Sequence, residues 1–377
     1  MKHFWIFALL VFALLLSSCV QNSNKDQSAA PNNFNIEEIK LQLESSDDLE
    51  TQYPFISREF IPFSEANPIE RAVSYGCYRE GQAPWGPGPS KEQIAEDLSI
   101  ISKYWNLIRV YNADDDTEHI LEMIEENNLP IKVMLGVWLE NETDKTEKKA
   151  ANIANVLRCL ELTQRFPNIV SAVNVGNETQ VFWSWHKMDS KDLTRYIRTI
   201  RNNTTLPVTT ADDYNFWNKA ESKTIAAEID FITTHIHPLW NGKTLATAIP
   251  WTDKTIDIVK TNHTEKLVVL GEIGWATNYN VNKKGEGQQG TLIKGEVGIQ
   301  AQEDFLNQLD NWIVSNNITT FLFEAYDESW KGGADQTGAN EVEKNWGVFY
   351  EDRTPKRSFD NFLIYKQKSK NKSLRRK

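Results

Sequence analysis

Ile169-Val170-Ser171-Ala172-Val173-Asn174-Val175-Gly176-Asn177-Glu178 is a greasy run that stops on a carboxylate, and Leu267-Val268-Val269-Leu270-Gly271-Glu272-Ile273-Gly274-Trp275 repeats the pattern further along. β-Branched residues run through both with little polar interruption, which predicts strands covered on both faces, as in a parallel sheet flanked by helices. A carboxylate at the end of such a strand costs several kcal/mol to bury unless it is paired or hydrogen-bonded. One such glutamate could merely cap the next helix or pair with an arginine. Two of them, each beside glycine and near aromatic residues, point to a working pair.

Outward from these runs the chain alternates strand and helix. Strands are expected at 72–78, 107–111, 131–138, 169–178, 207–211, 231–237, 267–272 and 319–326. Between them lie helical patterns: Ser90 caps one running through Ile94, Leu98 and Ile101, and Ile153, Val156, Leu157 and Leu160 mark the face of a longer one. Eight strands alternating with helices predict a (β/α)₈ barrel in a single catalytic domain over residues 61–365. A doubly wound sheet would need a phosphate-binding glycine turn near its first strand. Gly81, Gly86 and Gly88 are instead scattered among prolines.

The ends read differently. Residues 1–18 have the form of a signal peptide, with Lys2 and His3 before an apolar run too short to span a bilayer comfortably. The run closes Leu16-Ser17-Ser18-Cys19, which resembles the lipobox of bacterial lipoproteins and implies lipidation at Cys19. Residues 19–60 are polar and read as a flexible tether, extended or partly disordered. Residues 366–377 carry seven basic residues in twelve and read as a solvated, disordered tail. The expected location is the bacterial cell envelope, with contact to the membrane through the lipid alone, and the expected state is a monomer. A net charge of −11 over 377 residues argues against nucleic acid as a partner. Cys77 and Cys159 could be bridged in an exported protein, but both fall in predicted elements as small buried hydrophobes, which favours free thiols.

In a barrel of this kind the chemistry sits where strands give way to βα loops. Glu178 ends the fourth strand and Glu272 the seventh, so the two carboxyls can face each other across the mouth. At about 5 to 5.5 Å one acts as nucleophile and the other as acid/base; at about 6.5 to 9.5 Å a water fits between them and configuration inverts. Strict alternation would turn Asn177 and Glu178 to opposite faces, so a bulge or an early strand end is required there. His235 and His237 form a His-x-His pair, which occurs in metal-dependent hydrolases of the amidohydrolase type. Here too few further histidines are placed to complete such a site, and a hydrogen bond to substrate or to a glutamate is the better reading. The chain has 13 tryptophans, many in loops or at strand ends. Aromatic faces stack on sugar C–H faces, so Trp138, Trp275 and Trp330 are assigned to a cleft, and Trp105 and Trp312 to packing.

These motifs resemble those of glycoside hydrolase family 17, the β-1,3-glucanases. Val175-Gly176-Asn177-Glu178 is similar to the acid/base motif and Gly271-Glu272-Ile273-Gly274-Trp275 to the nucleophile motif. Ile108-Arg109-Val110-Tyr111, Ala325-Tyr326-Asp327-Glu328-Ser329-Trp330-Lys331 and Asn345-Trp346-Gly347-Val348-Phe349 extend the likeness over residues 70 to 362. The resemblance implies an endo-acting, retaining hydrolase of laminarin-like β-glucan, with Glu178 as acid/base and Glu272 as nucleophile. It further implies that Asn177 holds a sugar 2-hydroxyl, that Tyr111 lies near the nucleophile, and that Glu328 and Lys331 line the cleft as a charged pair. His237 stands where plant relatives carry tyrosine and could make the same hydrogen bond. No metal or organic cofactor is implied. The alternatives are a β-1,3-glucan transglycosylase, or a glycan-binding lipoprotein without chemistry.

Overall fold

The computed structural model of the chain describes residues 35–45, 55–61 and 71–363. Cys19, the signal peptide and the basic tail lie outside the described residues. Eight parallel strands close into a barrel in sequence order: β1 Arg71–Ser74, β2 Leu107–Arg109, β3 Lys132–Val137, β4 Val170–Asn177, β5 Val208–Asp213, β6 Phe231–His235, β7 Leu267–Ile273 and β8 Thr320–Leu322. Helices α2 (Lys91–Ile101), α3 (Asp115–Glu126), α4 (Thr146–Arg165) and α5 (Ser190–Asn203) follow the first four strands in turn, and Leu245–Asn262 and Ile299–Asn316 cover the far side. The (β/α)₈ expectation holds.

Local chemistry sets the helix starts. Ser90 and Gln93 form a reciprocal capping box at α2, and the Asp114 and Asp189 side chains accept backbone N–H groups at the starts of α3 and α5. Burial follows from period two: Ala72, Leu107, Met134, Ala172, Phe231, Val269 and Phe321 fill the barrel's interior, while alternate positions pack outward under the helices. Trp105 and Trp312 pack as expected; Cys77 and Cys159 are buried free thiols.

Several strands are shorter than their apolar runs. β6 stops at His235 and β8 at Leu322, yet the chain continues extended, with Ile236 N–H donating to Glu272 O and Ala325 N–H to Ser74 O. Register shifts at this end of the β4–β5, β6–β7 and β7–β8 pairs break the regular ladder.

The tether expectation needs correction. Ile36–Ser45 is a helix, α1, that buries Ile39 and Leu43 against α4. Those two sit four apart on one face, a short stripe that the polar composition of the surrounding segment hides. Residues 55–61 are also fixed. Arg58 N–H donates to Asp230 Oδ1 at 2.7 Å, and its guanidinium donates to Leu206 O and Arg201 O at 2.9 and 2.8 Å. Phe60 then stacks on Phe231 with ring centroids 4.4 Å apart, closing the barrel floor. Phe60→Ala should therefore cost about 3 kcal/mol of stability. Urea denaturation would show it as a lower midpoint with little change in slope; an unchanged midpoint would remove Phe60 from the core.

Candidate active site

Two backbone departures aim the first carboxylate. Gly176 has φ 81° and Glu178 has φ 51°, and the β4–β5 register shifts between Asn174 and Asn177. Left-handed backbone is open to glycine and strained for glutamate, which is tolerated where the surroundings hold it in place. Glu178 N–H donates to Ala211 O at 2.8 Å, and the Asp212 carboxylate accepts from the N–H groups of Gln180 and Val181 at 2.7 and 3.2 Å. The irregularity that alternation demanded is present, and it turns both Asn177 and Glu178 toward the mouth.

Arg109, fully buried, organises the floor of the site. Its Nη1 donates to Glu272 Oε1 at 2.7 Å and to Gly271 O at 3.1 Å, and its Nη2 donates to Asn177 Oδ1 at 2.5 Å. That contact orients the Asn177 amide, leaving its N–H₂ as the free donor. Tyr111 O–H donates to Glu272 Oε1 at 2.8 Å, and His237 Nε2 lies 3.1 Å from Glu272 Oε2. His235 stands between the two glutamates, its Nδ1 2.9 Å from Glu178 Oε1 and its Nε2 3.0 Å from Arg109 Nη1. A guanidinium can only donate, so His235 Nε2 is an acceptor there and Nδ1 carries the ring proton. Burial pushes the His235 pKa down to about 3, so the ring is neutral and donates to Glu178 Oε1.

The two carboxyls are held in opposite states. Burial, then the neighbouring charge of Glu272, raises Glu178 to about 8. Burial also acts against the charge on Glu272, but the His237 hydrogen bond and the Arg109 guanidinium outweigh it and hold that carboxyl well below the usual range. Near neutral pH one is an acid and the other an anion. Oxygens of Glu178 and Glu272 and a nitrogen of His235 all lie within 4.8 Å of one another. Three such groups have the donor types for a cation, but the Arg109 guanidinium already stands against two of them. The two histidines each face a glutamate instead.

The structure brings Tyr111, Asn177, Glu178, His237 and Glu272 together. Trp138 is half-buried at the end of β3, beside His186. Trp330 is half-buried on the β8 side, where its edge meets the exposed Trp85. Trp275 is a correction: it is 1% exposed, its indole N–H donates to Glu296 O at 2.8 Å, and its ring stacks on Phe305. It follows Glu272 by an odd number of positions, so alternation sends it behind the strand, under a helix. The charged pair also needs amending. Lys331 Nζ contacts Glu328 Oε2 at 2.6 Å and also bonds Glu324, while Glu328 is 1% exposed and accepts the Trp330 indole N–H at 2.9 Å. Glu328 thus braces Lys331 and Trp330 from beneath rather than facing a sugar. A Cβ at residue 76 would fall 2.1 Å from Glu328 Oε1, so only Gly76 leaves it room.

Sequence reasoning gave no site role to Arg109 beyond the motif it belongs to, and missed Glu324, Asp212 and His186 altogether. Asp212 was within reach, since β5 simply continues past Ala211. His186 accompanies no local signal; it reaches the site because its loop folds back until Nε2 lies 2.7 Å from Asn177 O.

Residues 72–347 match the family model described as the BtgE/BtgC glycoside hydrolase domain. The chain is 25% identical over 289 residues to the glucan endo-1,3-beta-glucosidase btgC of Emericella nidulans, covering 70% of this chain and 42% of that one. It thus spans about two fifths of the length of the curated relatives it matches. Among solved structures, an endo-laminarinase from Formosa aligns with a TM-score of 0.64 at 22% identity, over 77% of this chain and 86% of that chain. A glycoside hydrolase family 17 β-1,3-glucanosyltransferase from Rhizomucor miehei aligns with a TM-score of 0.58 at 20% identity, over 76% of this chain and 95% of that chain. These two share the fold.

Proposed function

The chain belongs to the BtgE/BtgC glycoside hydrolase family, and from that premise we propose that it hydrolyses internal β-1,3-glucosidic linkages of a laminarin-like glucan with net retention. The observation that carries the reading is the Glu178–Glu272 pair, with oxygens within 4.8 Å and opposite protonation. That separation leaves little room for a water between the carboxyls and suits direct attack. The btgC relative's name supports the linkage.

Glu178 delivers its proton to the glycosidic oxygen while Glu272 attacks C1, and the chain beyond the scissile bond departs. Since His235 N–H occupies Oε1 of Glu178, the transferable proton sits on Oε2. Asn177 N–H₂ is placed to hold the sugar 2-hydroxyl, a bond that strengthens as charge develops on the ring. Once Glu272 is an ester its charge is gone, and one cause of the raised Glu178 pKa goes with it. Glu178, now a carboxylate of lower pKa, takes the proton of an incoming water that releases the sugar from Glu272. No step calls on a metal or an organic cofactor.

The same proposal places the enzyme on a lipid at Cys19 in a bacterial envelope; the apolar run ending Leu16-Ser17-Ser18-Cys19 supports it. The catalytic reading is tested by proton NMR of laminarihexaose during the first turnovers. Newly formed reducing ends should appear as the β-anomer before mutarotation, whereas α-anomer first would establish inversion and remove the covalent step.

A further inference from the structure

A second pair of carboxyls, distinct from the acid pair, lies buried past the end of β8. Glu324 and Glu328 are each 1% exposed, and both meet one ammonium. Lys331 Nζ contacts Glu328 Oε2 at 2.6 Å and also bonds Glu324 Oε2. Glu328 Oε1 takes the Trp330 indole N–H, whereas Glu324 Oε1 is buried with no hydrogen-bond partner among the described residues. Two anions on a single cation would leave a net negative charge in the protein interior, with one oxygen facing no donor. One proton removes both costs.

We propose that Glu324 is a positioning residue that works as a neutral acid: it shares one proton and one ammonium with Glu328, and this buried unit backs the nucleophile. The oxygen without a donor carries the proton, and Glu328, with two donors on it, is the anion. Burial pushes Glu324 well above the usual carboxylate range, against the pull of Lys331. Burial acts on Glu328 too, but Lys331 and the hydrogen bonds from Glu324, Lys331 and Trp330 outweigh it and hold that carboxyl below the range. Two paths lead from the unit to Glu272. Lys331 Nζ sits 4.7 Å from the centre of the Phe323 ring, and that ring lies 5.4 Å from His237, which bonds Glu272 Oε2 at 3.1 Å. On the other side the Glu324 carboxyl stands near Tyr111, whose hydroxyl donates to Glu272 Oε1.

Other titratable groups surround the unit. Cys77 from β1 stands near Glu328, Tyr111 from β2 near Glu324, and Lys356 and Glu343 from the chain after β8 near Glu324 and Lys331. Of these Lys356 alone is a cation, and it is committed to Asp327 at 2.8 Å. Ionising Glu324 would therefore place an unbalanced charge behind Tyr111 and His237. The sign for stability follows: a carboxyl neutral in the folded state and ionised in the unfolded one stabilises the fold less as pH rises from the ordinary glutamate value, about 4.3, toward its folded value.

The test compares the full chain with Glu324→Gln, Glu324→Ala and Glu328→Gln. The infrared difference between wild type and Glu324→Gln near neutral pH should contain the carbonyl band of an un-ionised carboxyl. Glu328→Gln leaves Lys331 only Glu324 to pair with, so the same difference taken on that background should contain carboxylate bands instead. Glutamine copies the neutral acid in shape and polarity, so the melting temperature of Glu324→Gln should gain on wild type as pH rises. Its kcat/KM on laminarin should stay within about threefold of wild type, while Glu324→Ala loses on the order of 10²-fold, the scale of a reacting group displaced by about 1 Å. Carboxylate bands from Glu324 in the wild type, or melting temperatures that keep a constant difference across pH, would overturn the neutral acid. Equal losses in the glutamine and alanine variants would overturn the positioning role. The infrared and melting arms need no substrate, so a wild type inert toward laminarin is a separate failure: it sinks the hydrolase reading and the positioning role with it, and the un-ionised band still decides the shared proton.

Discussion

Glu272→Gln releases almost no sugar from laminarin, with kcat reduced on the order of 10⁴-fold or more, the scale expected when a nucleophile is lost from a group of residues acting as a unit. The amide is close in shape to the carboxylate but has no negative oxygen with which to form the ester. The substitution also leaves the Arg109 guanidinium buried without its anion, and breaking a buried pair from one side costs about 3–5 kcal/mol. A thermal melt therefore has to accompany the assay. If the variant is folded at the assay temperature and still releases reducing ends at more than about one percent of the wild-type rate, Glu272 is not the nucleophile.

Glu178→Gln loses less and loses it selectively. Removing a general acid typically costs about 10²–10⁴-fold, and the loss tracks how much the leaving group needs a proton. Laminarin should show the full effect, while β-laminaribiosyl fluoride should form the ester at nearly the wild-type rate and then stall for want of a base. The pH profile provides a second readout. The acid must be protonated to act, and its pKa is raised to about 8, so wild-type kcat/KM should hold through neutrality and fall as pH rises through about 8. In the variant that alkaline limb disappears. A wild-type alkaline limb near 5 instead would mean that Glu178 is not protected from ionisation by burial and by Glu272.

Much of this was legible because it is periodic or terminal. An apolar run ending in a carboxylate announces a barrel strand and its working end, and β4 and β7 carry that signature without ambiguity. The bulge at Gly176 was deducible from alternation, and alternation applied with equal care places Trp275 behind the wall. What could not be read is convergence. Arg109 from β2 meets Asn177 from β4, His235 from β6 and Glu272 from β7, and no local pattern states that three strands point at the guanidinium of a fourth. The proton on His235 follows from that meeting alone. The helix at Ile36–Ser45 escaped notice because two buried side chains suffice to dock it, and their stripe vanishes in the average of a polar segment.

The clasp formed by Arg58 and Phe60 has a mechanical consequence. The polypeptide entering the barrel is bolted to its underside, at the opposite pole from the acid pair. The clasp keeps residues 55–61 clear of the reactive rim, while α1 docks upstream of it on the flank of α4.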